Sequence, residues 1–416
     1  MKPAPAASTN ERSQKEQSRL TGAEGLRALA CLGVFFFHAV IRANPSGHDG
    51  WFADFHDYLS TGAVGVAVFF VLSGILLSYR FWYAFFTKTN YPKIGHYIRR
   101  RASRILPAFY VVLVISFIMD GYDARRWGTE QYEPVQRLVG GLTLTSSWHY
   151  ETYFPTNSNI PLWAVPMEAV CYVLLPLVMW GLFAIRKRNR RIGLGFWLGV
   201  IAIAAVIHEW IVRTFPMEAN TRDFAINLAR DQMPGRNPIG YFGQFAIGVL
   251  AAALIVLWKV HRQGKRSWWF DAVGLTIAVG MVGFFWTIRG DWSVQSDISL
   301  QEQPYYYPYF AILLAVLAIA LGFSKLLWRL FEIAPLKFVA KYSYGIYLWH
   351  ALVFDWFARE IDSRYGWHAS GDPLHNIYAT LVCLAITIVI AMISWRVIER
   401  PFVEGRLSGL ARSRTP

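Results

Sequence analysis

The apolar residues of this chain gather into long, nearly uninterrupted stretches, among them 192–212, 242–257, 310–321 and 381–393. About twenty such residues, wound as a helix, cross the hydrocarbon core of a bilayer. Inside that core every backbone N–H and C=O must be satisfied within the protein, so only helices and closed barrels survive there. A barrel would be written as short alternating strands, and these runs are continuous. The pattern therefore predicts an all-α, polytopic membrane protein. Composition agrees, with 55% of residues hydrophobic and 16% charged, where a soluble domain carries about a quarter charged residues. A soluble enzyme and a disordered chain are both excluded.

Ten spans can be placed, near 26–43, 61–82, 104–120, 164–185, 192–212, 239–258, 272–289, 306–324, 338–357 and 376–395. An eleventh stretch, 134–147, is short and holds Arg137, two glycines and several hydroxyls. If it crossed, the basic block at 186–191 would face outward, against the positive-inside rule. Treated as re-entrant or interfacial, it leaves ten spans with both termini cytoplasmic. Inner segments then hold 28 Lys/Arg and outer segments 11. The net charge of +14 is thus spread between spans, unlike the basic face of a nucleic-acid binder. Cys31, Cys171 and Cys383 all lie in apolar runs without metal-ligand spacing. Residues 1–19 and 403–416 read as flexible cytoplasmic tails around a transmembrane domain at 20–402. No signal peptide is evident, and a plasma-membrane location is expected.

Ionisable groups within spans point to function. Arg27 and His38, eleven positions apart on the first span, share a helix face about 17 Å apart along the axis, and Glu24 lies near the same stripe. Arg27 is open to a second reading as a snorkelling anchor. His38, behind Phe35, Phe36 and Phe37, is better explained by function. Arg101 and Arg104 stand at i, i+3 and so project together. A pair of guanidiniums grips phosphate, although an anionic-lipid anchor would use the same residues. Glu168, about one and a half turns below the outer surface and so expected at a depth similar to His38, shares a face with Tyr172 at i, i+4 in the fourth span, either as a structural partner of a buried cation or tyrosine or as part of a proton-handling site. His350, in the ninth span, lies at a depth like that of His38, with Asp355 one turn further out. Ser73 is expected to bond back to the carbonyl of residue 69 in its own helix.

Taken in order, these stretches resemble the acyltransferase-3 family of integral-membrane O-acyltransferases. The matching residues are Gly25-Leu26-Arg27-Ala28-Leu29-Ala30 with His38, Val68-Phe69-Phe70-Val71-Leu72-Ser73-Gly74, and Arg101-x-x-Arg104-Ile105-Leu106-Pro107. Trp163 with Glu168 and Tyr172 follows, then Phe245-x-x-Gly248, Tyr344-Gly345-Ile346-Tyr347-Leu348-Trp349-His350 and Ile398-Glu399-Arg400-Pro401-Phe402. The chain departs from the family pattern around Glu168, with Ala164 after the tryptophan, Pro166 at the helix start and Ala169-Val170-Cys171 after the acid.

The resemblance implies acyl transfer, acetyl by default, from cytosolic acyl-CoA to a hydroxyl at the outer face. The acceptor would be a surface glycan or lipid-linked saccharide. Arg101 and Arg104, with Arg27, would bind the donor. His38, Glu168 and His350 would form the catalytic group, with Trp163, Tyr172 and Tyr347 contacting substrate. Either Tyr172 or His350 would donate to the oxyanion. No resident cofactor or metal is expected, and the implied partners are acyl-CoA, the acceptor and membrane lipid, with no nucleic acid. Two rivals remain open on the residues alone: a transporter with a His/Glu proton relay, and a scaffold in which His38 is dispensable.

Overall fold

In the computed structural model the described residues are 20–42, 50–127, 133–185, 187–215, 224–289, 307–365 and 373–404. The expected tails at 1–19 and 405–416, and Arg186 of the basic block, lie outside them. Among the described residues the fold is all-helical, with no strand.

Ten principal helices occupy the ten apolar stretches: α1 (Ala23–Val40), α2 (Gly65–Phe86), α3 (Ile94–Trp127), α4 (Ala164–Ala184), α5 (Arg190–Thr214), α6 (Pro238–Arg262), α7 (Trp268–Ile288), α8 (Tyr309–Phe323), α9 (Ala334–Phe357) and α10 (Pro373–Ser394). Eight of the helical segments are long and apolar enough to cross a bilayer. The two others are α8, at 15 residues, and α9, which carries Lys337, Lys341 and a run of hydroxyl-bearing side chains. The 134–147 stretch forms a helix of nine residues, Pro134–Leu142. At 1.5 Å per residue that is about 13 Å, well short of a membrane crossing.

Two helices set the frame of the site. Helix α6 is the most enclosed of the membrane-length helices, and α2 packs along it. Their backbones approach closely because the contact is made by glycine. A Cβ on Gly74 would sit 2.1 Å from the Phe245 carbonyl oxygen, and one on Gly248 would sit 2.1 Å from that of Val71. Small residues permit such approach between membrane helices, where packing rather than water exclusion holds them together. The indole of Trp82 locks the pair, its Nε1 donating to the Val249 carbonyl at 2.7 Å. On the other side, α9 packs between α1 and α10.

Helix α3 is longer than the apolar run that announces it, 34 residues in all. It therefore carries the basic cluster from Arg99 to Arg104 on helical backbone. Three tyrosines fasten it in place by donating to main-chain carbonyls. Tyr97 reaches Tyr172 of α4 (3.1 Å), and Tyr344 of α9 reaches Ile105 of α3 (2.8 Å). Tyr91, just before α3, reaches Pro176 of α4 (2.6 Å).

Candidate active site

Five helices meet around a chamber of about 100 Å³. Its wall is built from Arg27 of α1, Phe69 and Ser73 of α2, Arg101 and Arg104 of α3, Glu168 and Tyr172 of α4, and Tyr344 and Tyr347 of α9. Arg104 is exposed, whereas Arg101, Arg27 and Glu168 are half-buried, so the guanidiniums run from the open end inward. Three cations face one carboxylate. That surplus suits a phosphate-bearing ligand at the mouth, where guanidinium forks match phosphate oxygens.

The carboxylate is held by two hydroxyls. Ser73 Oγ donates to Glu168 Oε1 at 2.7 Å, and the Tyr172 phenol hydrogen-bonds the same side chain. The expected back-bond from Ser73 to residue 69 is not what the fold uses. The Gly74 contact fixes α2 against α6, and the neighbouring serine then has Glu168 within reach. A cross-helix carboxylate is the stronger acceptor, since its charge shortens and strengthens the bond.

His38 and His350 meet on the other side of Tyr347. His350 Nε2 lies 3.2 Å from His38 Nδ1, with ring centroids 4.8 Å apart. His38 Nδ1 is 2.9 Å from the Val34 carbonyl, and His350 Nδ1 is 2.6 Å from the Tyr347 carbonyl. Phe35 and Phe354 flank His350, Phe37 packs edge-on against His38, and Arg42 Nη1 donates to the His38 carbonyl at 3.3 Å. Tyr347 links the chamber to the histidine pair. It lines the chamber, its ring centroid lies 5.8 Å from that of His350, and its hydroxyl is tied to the Pro161 carbonyl at 2.7 Å.

The fold thus divides the expected catalytic group. It joins His38 to His350 and places Glu168 with Arg27, Arg101, Arg104 and Tyr172 in the chamber. Trp163 is not in the chamber wall. It is buried, stacked on Tyr153 at 5.6 Å and 16° and tilted against Tyr241 at 5.3 Å. Asp355 pairs with Arg359 at 2.9 Å, and Arg359 also pairs with Asp123. Ser73, expected only as a structural hydroxyl, and Tyr344 are site residues to which the sequence assigned no functional role. The signals for them were the glycine beside the serine and the repeated tyrosines entering the ninth span. Among the described residues no cluster of His, Cys, Asp or Glu is arranged to hold a metal.

Comparison with known proteins gives this arrangement a family. The model described as "Acyltransferase domain" matches residues 20–396. O-acetyltransferase OatA of Staphylococcus aureus (strain NCTC 8325 / PS 47) is 26% identical over 403 residues, covering 92% of this chain and 57% of OatA. The protein SACOL0978 of strain COL, named provisionally as an O-acetyltransferase, is 24% identical over 412 residues, 95% of this chain and 59% of that protein. This chain therefore spans under two thirds of the length of the curated relatives it matches. No solved structure matches. The chain is a multi-pass membrane member of the acyltransferase-3 family.

Proposed function

We propose that the protein takes an acetyl group from acetyl-CoA at the cytoplasmic face and delivers it to a hydroxyl of an envelope glycan or lipid-linked saccharide at the outer face. The observation that carries this reading is the arrangement of an arginine-lined chamber and a histidine pair along one helix. They lie at two levels of α1, with Tyr347 lining the chamber and packed beside His350. Arg27 and His38 are separated by eleven residues, about 17 Å of helix, similar to the reach of an extended pantetheine arm.

The donor's phosphates rest on Arg104 and Arg101 at the mouth, and the thioester end enters the chamber. Acetyl is the group transferred in this reading because the relatives matched over nearly the whole chain are named as O-acetyltransferases. Chemistry then requires the acyl carbon to pass Tyr347. His38 takes the proton of the acceptor hydroxyl as the oxygen bonds to the carbonyl carbon. The carbon–sulfur bond breaks, and the departing CoA thiolate leaves with that proton as a thiol. Histidine is the side chain most often used to move a proton in such a step. Glu168, with Ser73 and Tyr172, keeps the three guanidiniums from repelling one another and orients them for phosphate.

The test uses sealed membrane vesicles of both orientations and acetyl-CoA, which does not cross the bilayer. Labelled acetyl should appear on glycan only when acetyl-CoA is supplied to the cytoplasmic face. In detergent, Arg101→Ala/Arg104→Ala should raise KM for acetyl-CoA by about tenfold or more, the loss of at least one charge-assisted contact. His38→Ala should abolish transfer while leaving acetyl-CoA binding intact. Full transfer by a folded His38→Ala protein, or an unchanged KM in the arginine double variant, would sink the proposal.

A further inference from the structure

The proton positions in the histidine pair follow from what lies at its ends. His350 Nδ1 is 2.6 Å from the Tyr347 carbonyl. A carbonyl only accepts, so the hydrogen is on Nδ1. His38 Nδ1 is 2.9 Å from the Val34 carbonyl, and by the same rule it carries a hydrogen too. The third contact joins the two rings, His38 Nδ1 to His350 Nε2 at 3.2 Å. Because His38 Nδ1 already bears a proton, a second proton on His350 Nε2 would set two hydrogens face to face. His350 is therefore neutral, with a bare Nε2, and accepts from a His38 N–H shared with Val34.

We infer that His350 is a positioning residue that, together with the Val34 carbonyl, holds His38 in the Nδ1–H tautomer and so leaves His38 Nε2 as the atom that takes the acceptor's proton. The inference rests on the reading of His38 as base and adds to it the reacting nitrogen. It also removes one role from His350. With Nδ1–H given to Tyr347 and Nε2 accepting from His38, it has no N–H left for an oxyanion. When the acceptor proton arrives at His38 Nε2, His38 becomes an imidazolium. Its Nδ1–H bond to His350 is then charge-assisted and stronger. His350 thus stabilises the charged base without adding a negative charge to the site. The ring order, carbonyl to imidazole to imidazole, serves the end that a carboxylate serves when it fixes a catalytic histidine.

The experiment reads the tautomer directly. Protein labelled with ¹⁵N in its imidazoles is placed in nanodiscs, and the His38 signals are identified by their loss in His38→Gln. His38 should show a protonated Nδ1 and an unprotonated Nε2. Two variants then separate positioning from packing. His350→Leu removes the acceptor, whereas His350→Gln offers an amide oxygen in place of Nε2. His350→Leu should lower kcat for acetyl-CoA-dependent transfer to envelope glycan by about a hundredfold, the low end of acid–base catalysis, with KM for acetyl-CoA unchanged. His350→Gln should recover most of that loss. A His38 protonated on Nε2 in the unaltered protein would overturn the inference, as would equal kcat values in the Leu and Gln variants. The two readings fail separately. Transfer retained in His38→Ala, with the Nδ1–H tautomer present, strikes the base reading. A dead His38→Ala with the opposite tautomer strikes only the role given to His350.

Discussion

The Ser73 hydroxyl on α2 donates to the Glu168 carboxylate on α4 at 2.7 Å, inside a chamber that also holds three arginines. Removing either partner should disturb donor binding more than chemistry. Ser73→Ala should cost about 1.5–3 kcal/mol of stability, the worth of a hydrogen bond to a charged group, and raise KM for acetyl-CoA severalfold. Glu168→Gln should raise KM further, because the amide cannot offset three guanidiniums. A pure kcat loss with normal KM in both variants would instead place Glu168 in the proton-transfer step.

Tyr97 and Pro176 form a matched pair. Proline has no N–H, so Pro176 leaves the Tyr172 carbonyl four residues earlier without its helical donor. The Tyr97 phenol supplies one across the helix interface. Tyr97→Phe should therefore destabilise the protein by about 1–3 kcal/mol, the cost of an orphaned buried acceptor. Pro176→Ala restores an N–H within α4, and in that background Tyr97→Phe should cost much less. Equal costs in the two backgrounds, read by thermal unfolding in one detergent, would refute the pairing.

Gly74 and Gly248 allow α2 and α6 to touch, and an added methyl at either meets backbone oxygen at 2.1 Å. Backbone cannot step aside as a side chain can. Gly74→Ala should cost about 1–3 kcal/mol or more by overpacking and lower the yield of folded protein. It should also displace Ser73, so the folded remainder should show the raised KM of Ser73→Ala.

Trp163 should behave as a packing residue. Trp163→Phe keeps an aromatic ring against Tyr153 and Tyr241 and should leave KM for the glycan acceptor unchanged. Trp163→Ala should lose about 3–5 kcal/mol before any kinetic effect can be measured. An intact melting temperature combined with a raised acceptor KM in Trp163→Phe would return this residue to the substrate site.

Hydropathy made the helices and their order legible, because bilayer thickness and backbone satisfaction leave a chain like this one solution. An expected height was legible too, since residue number along a helix translates into rise along its axis. Direction around the bundle was not. His38, Glu168 and His350 can be assigned heights from the sequence, but which of them face one another depends on how the helices pack. Ser73 shows the same limit. A hydroxyl within a helix can bond its own backbone or a neighbour, and the choice is made here by a glycine contact one residue away. The end of α3 was missed for a different reason. Its first turns, from Ile94, carry the basic cluster and lie ahead of the apolar run, where hydropathy is silent although the backbone is already helical.

The three tyrosines that fasten α3 all donate to main-chain carbonyls. A main-chain acceptor is present whatever side chain occupies the position, so the facing residues are free to change without breaking the clasp. A membrane bundle joined in this way can hold its arginines in register while its sequence drifts. That tolerance fits a chain that shares only about a quarter of its residues with relatives matched over nearly its whole length.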